Sequence, residues 1–163
     1  MSRAHGSRHH SFELDAPLAD VLPLFTAEGE RAWVPGWAPE ILSGHGERGS
    51  AFRTRSVDGT VSTWICCRFD PVGGCASYVR IAEGSNIGII DVDCVALGPT
   101  RARIDVTYTL TALGEAGDGF VGEFLDEGTY RASIESWKSL IDAYLAGAAT
   151  DSHSGGPSQR LAC

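Results

Sequence analysis

The amino-acid sequence predicts an α+β domain in which a curved antiparallel sheet wraps around a long C-terminal helix. Three observations predict this fold. Apolar and polar residues alternate over 101–112, which is the period of a strand with one buried face. Asp58-Gly59 lies between two further runs of this kind, as in a β-hairpin. Apolar residues over 130–144 recur at steps of four and three, which is the period of an amphipathic helix.

Composition restricts the classes of function. A chain of 163 residues suits one domain whose core is stable without disulfides. A net charge of -8 argues against a nucleic-acid partner, which requires a basic face. No run is long and apolar enough for membrane insertion, and residues 1–11 lack the apolar core of a signal peptide, so we expect a cytoplasmic protein. The cysteines are scattered without a CxxC pair, and we expect neither a metal site nor any other cofactor.

The first part of the chain predicts a tail, a strand and two short helices. Residues 1–10 are polar and are expected to form a disordered tail, like residues 148–163, so that the folded domain spans 11–147. Residues 11–14 predict the first strand, and helical periodicity follows it. The second short helix ends at Trp33-Val34-Pro35-Gly36-Trp37. This aromatic turn is expected either to form the rim or lid of a pocket or to plug the core.

Five further strands bring the expected total to about six, a common size for a sheet. A two-residue turn at Asp58-Gly59 would pair Phe52 with Ile65 and direct both toward the helix. A turn centred on Gly84-Ser85 would likewise direct Val79 inward. A group of arginine and aromatic residues then faces solvent, but a register that differs by one residue would place it in the pocket. The group consists of Arg53, Arg55, Trp64, Arg68, Tyr78 and Arg80.

The C-terminal helix is expected over about 120–145, with one apolar stripe that includes Tyr130 and Trp137. Phe124 belongs to a second apolar patch, and Gly128 lies between the two patches. A curved sheet and a single helix rarely match in curvature along their whole length. A cavity is therefore expected between them.

Several segments resemble uncharacterised bacterial members of the helix-grip superfamily, also called START-like or SRPBCC. They are 24–37, Thr63-Trp64-Ile65, Phe69-Asp70-Pro71, Tyr78-Val79-Arg80 and 106–111, within a resemblance that covers about 12–145. The superfamily includes polyketide cyclases and dehydratases, lipid carriers, plant hormone and allergen-type binders, and activators of chaperone ATPases. The resemblance implies the fold and a small-molecule cavity, and no member's catalytic residues match here by motif.

The leading functional hypothesis is binding of a small apolar or aromatic metabolite, lipid-like or polyketide-like, between the sheet and the C-terminal helix. The expected lining residues are Trp33, Trp37, Phe52, Thr54, Ile65, Val79, Ile90, Val106, Tyr108, Phe124 and Tyr130. One alternative is a cyclase or dehydratase for a polyketide-like or aromatic substrate, with Tyr108 and either Glu123 or Glu127 moving protons. Another is a protein-interaction module of the chaperone-activator kind, with Trp64 and Tyr78 in an exposed patch. Oligomeric state is left open.

Overall fold

Seven antiparallel strands form one curved sheet, one strand more than the sequence predicts. The structure is a computed structural model and describes residues 2–153. The strands are β1 (His5–Leu14), β2 (Glu40–Ser43), β3 (Ala51–Arg55), β4 (Val61–Asp70), β5 (Cys75–Ala82), β6 (Asn86–Gly98) and β7 (Arg101–Ala112). Their order across the sheet is β1-β7-β6-β5-β4-β3-β2. The additional strand, β2, has four residues and pairs with β3 at the edge of the sheet.

The helices lie in two groups, as the sequence predicts. After β1 come α1 (Leu18–Val21) and two 3₁₀ helices, Leu22–Phe25 and Gly29–Ala32. The chain ends its described part with α2 (Glu115–Phe124) and the long α3 (Glu127–His153). Among residues 2–153, no helix has the length and apolar composition that crossing a bilayer requires.

The break between α2 and α3 lies just before Gly128, where the sequence suggests a change in the helix. It falls at residues 125–126, where the Asp126 carboxylate accepts hydrogen bonds from the Thr129 backbone N–H at 3.1 Å and the Thr129 hydroxyl at 3.2 Å. Such a side chain satisfies N–H groups that a helix start leaves free. The hydroxyl of Tyr130 then donates to the Val106 carbonyl at 2.8 Å and ties α3 to β7.

Secondary structure extends into both of the segments that the sequence predicts to be tails. Residues 5–10 belong to β1, which pairs with β7 from His5 opposite Thr111 to Leu14 opposite Ala102. This half of the strand is polar on both faces, so its sequence has no hydrophobic alternation to identify it. At the other end, α3 continues to His153, and the remainder of the expected tail, 154–163, lies outside the described residues.

Two hairpin loops are one residue longer than predicted, and each reverses the face of a strand. Ser56 N–H donates to the Thr60 carbonyl at 3.0 Å, so three residues form the loop, with Gly59 in the left-handed region at φ 86°. Phe52 therefore lies opposite Trp64 instead of Ile65. The loop between β5 and β6 also has three residues, because Ala82 lies opposite Asn86. A shift of one residue moves every side chain of a strand to the other face.

The consequences for β4 and β5 are direct. Ile65, with an exposed fraction of 44%, lies on the outer face, and its partner Val79 lies there too. Trp64, Tyr78 and Arg80 face α3. In the other half of the sheet the expected register is correct, since Ile90 lies opposite Tyr108 and both are buried.

Candidate ligand-binding cavity

The four tryptophans of the chain line one cavity of about 360 Å³ between the sheet and α3. Trp33 and Trp37 enter it from the segment that follows α1, Trp64 from β4 and Trp137 from α3. Its other lining residues are Phe25, Thr26, Ala27, Glu30, Val34, Phe52, Tyr78, Arg80, Ile90, Val92, Tyr108, Ser136 and Leu140. The cavity therefore has a predominantly aromatic and aliphatic wall.

Hydrogen bonds inside the wall fix three of the indole rings. Trp33 Nε1 donates to the Leu24 carbonyl at 2.8 Å, and Trp37 Nε1 donates to the Ala27 carbonyl at 2.8 Å. Trp64 Nε1 donates to the Thr54 hydroxyl at 2.9 Å. Because these N–H donors are satisfied within the protein, the rings are left to contribute apolar surface and defined orientation.

Ring-to-ring contacts order both ends of the wall. Trp64 stacks on Phe52 with 5.5 Å between ring centroids and 8° between planes, and Trp37 contacts both rings edge-on at 6.2 Å. At the other end, Tyr108 contacts Trp137 at 6.3 Å. Offset-stacked and edge-on arrangements of this kind are favourable beyond the area that they bury. A planar ring placed between these groups would meet the same faces and edges.

Four titratable side chains interrupt this wall, and burial shifts the pKa of each. The Tyr78 hydroxyl donates to the Phe25 carbonyl at 3.0 Å, and burial raises its pKa. Burial raises the pKa of Tyr108 to about 12 and that of Glu30 to about 8, so both are uncharged at neutral pH. Burial lowers the pKa of Arg80, although a guanidinium remains protonated in proteins.

The expected lining residues fall into three groups. Trp33, Trp37, Phe52, Ile90 and Tyr108 line the cavity. Thr54, Val106, Phe124 and Tyr130 lie behind its wall: Thr54 holds Trp64, the Val106 carbonyl holds Tyr130, and Phe124 packs on Tyr108 at 5.1 Å. Ile65 and Val79 lie on the opposite face of the sheet, for the reason of loop length given above.

The expected proton-transfer residues are only partly brought together. Tyr108 lines the cavity, whereas Glu123 on α2 and Glu127 at the start of α3 are exposed and lie outside it. The carboxyl group that does line the cavity is Glu30, which the sequence analysis missed. It lies three residues before Trp33 in a 3₁₀ helix, where residues three apart share a side. Its spacing from Trp33 was the available signal.

The arginine and aromatic group divides between the two faces of the sheet. Arg53, Arg55 and Arg68 lie outside, where they contact the Glu40 carboxylate, the Gly59 carbonyl and the Asp70 carboxylate. Trp64, Tyr78 and Arg80 line the cavity. The exposed aromatic patch on which the protein-interaction alternative depends is therefore not formed by Trp64 and Tyr78.

A second cavity of about 560 Å³ adjoins the first, and the two share Thr26, Ala27, Phe52 and Tyr78 as lining residues. It is also lined by loop residues 44–47 and by Cys66, whose thiol pKa is raised by burial. Phe52 and Tyr78 thus belong to the walls of both cavities. In the part of the chain that the structure describes, no three His, Cys, Asp or Glu side chains are grouped as metal ligands.

Comparison with solved structures identifies similar folds. A point mutant of norcoclaurine synthase from Thalictrum flavum, in complex with a transition-state analogue, is 16% identical, with a TM-score of 0.64 over 86% of this chain and 96% of that one. Ara h 8.0201 is 14% identical, with a TM-score of 0.65 over 88% and 99%. Zhui aromatase/cyclase from Streptomyces sp. R1128 is 18% identical, with a TM-score of 0.59 over 93% and 98%. No family model and no curated protein matches the sequence. At these identities the likeness establishes the fold.

Proposed function

We propose that this chain, which has the helix-grip fold of the START-like superfamily, binds a small aromatic molecule in the cavity between its sheet and α3. The observation that carries the proposal is that all four tryptophans line this one cavity. Ligand pockets are typically apolar and aromatic, have volumes of roughly 300–1,000 Å³ and contain a few polar groups that orient the ligand. A volume of about 360 Å³ lies within this range.

Two of the similar structures support an aromatic ligand. Norcoclaurine synthase has been solved in complex with dopamine and hydroxybenzaldehyde, and both are small aromatic molecules. Another similar fold belongs to an aromatase/cyclase. In this chain, the stacked pair of Phe52 and Trp64 and the edge-on Trp37 offer faces and edges that an aromatic ring can contact favourably.

The proposal is tested by calorimetric titration with N-phenyl-1-naphthylamine, a neutral aromatic probe, and with decanol as an aliphatic comparison. We expect saturable binding of the aromatic probe to one site, with weaker binding of decanol. Trp64→Ala should weaken binding of the aromatic probe at least tenfold, since a hydrophobic contact of this size contributes more than about 1.4 kcal/mol. Ile65→Ala is the matched control, because this neighbouring residue lies on the outer face. Equal effects of the two substitutions, or no binding at a large excess of probe, would contradict the proposal.

A cyclase or dehydratase activity is a second candidate, favoured by one further observation. Glu30 and Tyr108 line the same cavity, and at neutral pH Glu30 retains a proton that it could donate. A general acid is most effective when its pKa lies near the working pH. Within residues 2–153, no hydrogen bond joins Glu30, Arg80 or Tyr108 to one another, so a substrate would have to bridge them.

This second candidate is tested by turnover of an aromatic-forming poly-β-ketone substrate. Glu30→Gln should abolish turnover and leave binding of N-phenyl-1-naphthylamine within about twofold, because the substitution preserves shape and removes the titrating proton. Turnover that survives in Glu30→Gln would remove Glu30 from the mechanism. Absence of turnover in the wild-type protein would leave ligand binding as the function.

A further inference from the structure

Arg80 occupies a position in the cavity wall that the strand register explains. It lies on β5 opposite Trp64 of β4 on one side and opposite Gly88 of β6 on the other. A side chain at Gly88 would clash with Leu110 and with the Thr109 carbonyl, so Leu110 fills the neighbouring position. Arg80 Nη2 donates to the Asn86 carboxamide oxygen at 2.8 Å, and its guanidinium carbon lies 5.4 Å from the centroid of the Trp64 ring. The guanidinium is therefore held in one place, at the aromatic wall.

One donor of this guanidinium is unused. Arg80 Nε is buried and has no hydrogen-bond partner among the described residues. Buried donors in native proteins are nearly always paired, and an unpaired one destabilises the protein. The hydrogen bonding of the guanidinium is therefore incomplete, and a ligand oxygen beside it would supply a further acceptor.

The charge of Arg80 is also uncompensated. In residues 2–153, the salt bridges involve other arginines, two histidines and Lys138, and none joins Arg80 to a carboxylate. The carboxyl group that shares its cavity, Glu30, is protonated at neutral pH because burial raises its pKa to about 8. Placing a cation away from water without a counter-charge is costly, and an anion that enters the cavity would remove this cost.

We propose that Arg80 is the anion-binding group of the cavity and that the ligand is an acidic aromatic molecule, whose carboxylate or phenolate oxygen accepts hydrogen bonds from the Arg80 guanidinium. The inference rests on the proposed ligand-binding function and specifies the chemical class of the ligand. The rings of the ligand lie between Trp64 and Tyr108, and its anionic end lies at the guanidinium. Asn86 positions Arg80 for this contact by occupying Nη2.

A matched pair of probes separates charge from aromatic contact. 8-Anilinonaphthalene-1-sulfonate and N-phenyl-1-naphthylamine share one aromatic framework, and only the first carries an anionic group. Both are titrated by fluorescence into the wild-type protein, Arg80→Gln and Arg53→Gln. The last is the control, because Arg53 lies on the outer face.

We expect the wild-type protein to bind the anionic probe at least tenfold more tightly than the neutral one. Arg80→Gln should weaken binding of the anionic probe at least tenfold, as expected for loss of a charge-assisted hydrogen bond. It should change the dissociation constant of the neutral probe by less than about twofold. Arg53→Gln should change neither. Arg80→Lys, which keeps the charge and loses the planar donor group, should show an intermediate loss and serves as the second variant if Arg80→Gln does not fold.

The outcomes separate the two proposals. If the neutral probe binds and substitution of Arg80 changes the dissociation constants of both probes by the same factor, Arg80 has only a packing role. The proposal of an anion site is then wrong. If wild type shows no preference for the anionic probe, the anion site is also wrong. If neither probe binds to the folded wild-type protein, the ligand-binding function fails, and the anion site fails with it.

Discussion

The guanidinium carbon of Arg80 lies 5.4 Å from the centroid of the Trp64 ring, and both side chains face the cavity. A cation over an indole face contributes about 0.5–1 kcal/mol when exposed and about 2 kcal/mol or more when desolvated. This contact joins the charged group of the cavity to its aromatic wall. The indole is held in turn by Thr54, so a chain of contacts across β3, β4 and β5 positions the guanidinium.

Trp33 is expected to be a core residue, not a mobile lid. It has an exposed fraction of 6%, and its Nε1 donates to the Leu24 carbonyl. Trp33→Phe keeps an aromatic ring but leaves that carbonyl without its donor, which should lower the free energy of unfolding by roughly 2 kcal/mol. Urea unfolding followed by circular dichroism measures the change. An unaltered midpoint would show that Trp33 is free to move and would restore the lid hypothesis.

Trp137 is expected to stabilise the contact between α3 and the rest of the cavity wall. Its ring lies within 6.3 Å of the Phe25, Trp33 and Tyr108 rings. Trp137→Ala should lower the free energy of unfolding by about 3 kcal/mol, near the lower limit for such substitutions because the residue is only half-buried. Tyr144→Ala, at an exposed position of the same helix, should cost under about 1 kcal/mol. Similar losses from the two variants would mean that α3 does not dock through Trp137.

Glu30 should make stability depend on pH. The folded state retains the Glu30 proton up to about pH 8, whereas the ordinary carboxyl pKa is 4.5. The contribution of Glu30 to the free energy of unfolding is therefore fully present below about pH 4.5. It decreases as pH rises to about 8, with a slope of at most about 1.4 kcal/mol per pH unit. Urea unfolding of wild type and Glu30→Gln between pH 5 and 8.5 measures this decrease. The difference between the two proteins isolates Glu30 from the histidines. A difference that is constant with pH would show that Glu30 is not desolvated in the folded protein.

The first ten residues should contribute to stability, because β1 starts at His5 and covers the edge of β7. Deleting residues 2–9 removes part of this ladder and the hydrogen bond from Arg8 Nε to the Leu125 carbonyl at 2.8 Å. Several hydrogen bonds are lost, each worth about 1 kcal/mol, so the unfolding free energy should fall by more than about 3 kcal/mol. His9→Ala, which removes only an exposed side chain, should have little effect. A deletion variant as stable as wild type would mean that these residues form a tail.

The sequence predicts the fold because its strongest patterns are long. The alternation over β7 extends over at least ten strand residues, and the periodicity of α3 extends over at least three helical turns. The predicted orientation of β4 and β5 is wrong because the register of each strand depends on a single residue of loop length. Asp58-Gly59 is compatible with a two-residue loop and with a three-residue loop that ends in a left-handed glycine. Local sequence does not separate these loops, whereas packing of Trp64 and Tyr78 on Phe52 does.

Only part of the candidate site was therefore predictable. Residues on β6 and β7, such as Ile90 and Tyr108, were placed correctly because their register follows from a strongly amphipathic strand. Glu30 could not be identified by charge alone, since a Glu-Gly-Glu-Arg segment also fits a solvated surface. Its partial burial results from the position of the short 3₁₀ helix at the cavity wall.

The most direct test of the account follows the indole N–H signals of Trp33, Trp37, Trp64 and Trp137 by ¹⁵N–¹H correlation spectroscopy during titration with N-phenyl-1-naphthylamine. Because all four rings line the proposed cavity, we expect every indole signal to shift and to saturate with one dissociation constant. Backbone signals of Ile65 and Val79 on the outer face, by comparison, should shift less than those of Tyr78 and Arg80. Saturable binding that leaves the four indole signals unchanged would place the ligand elsewhere and contradict the account.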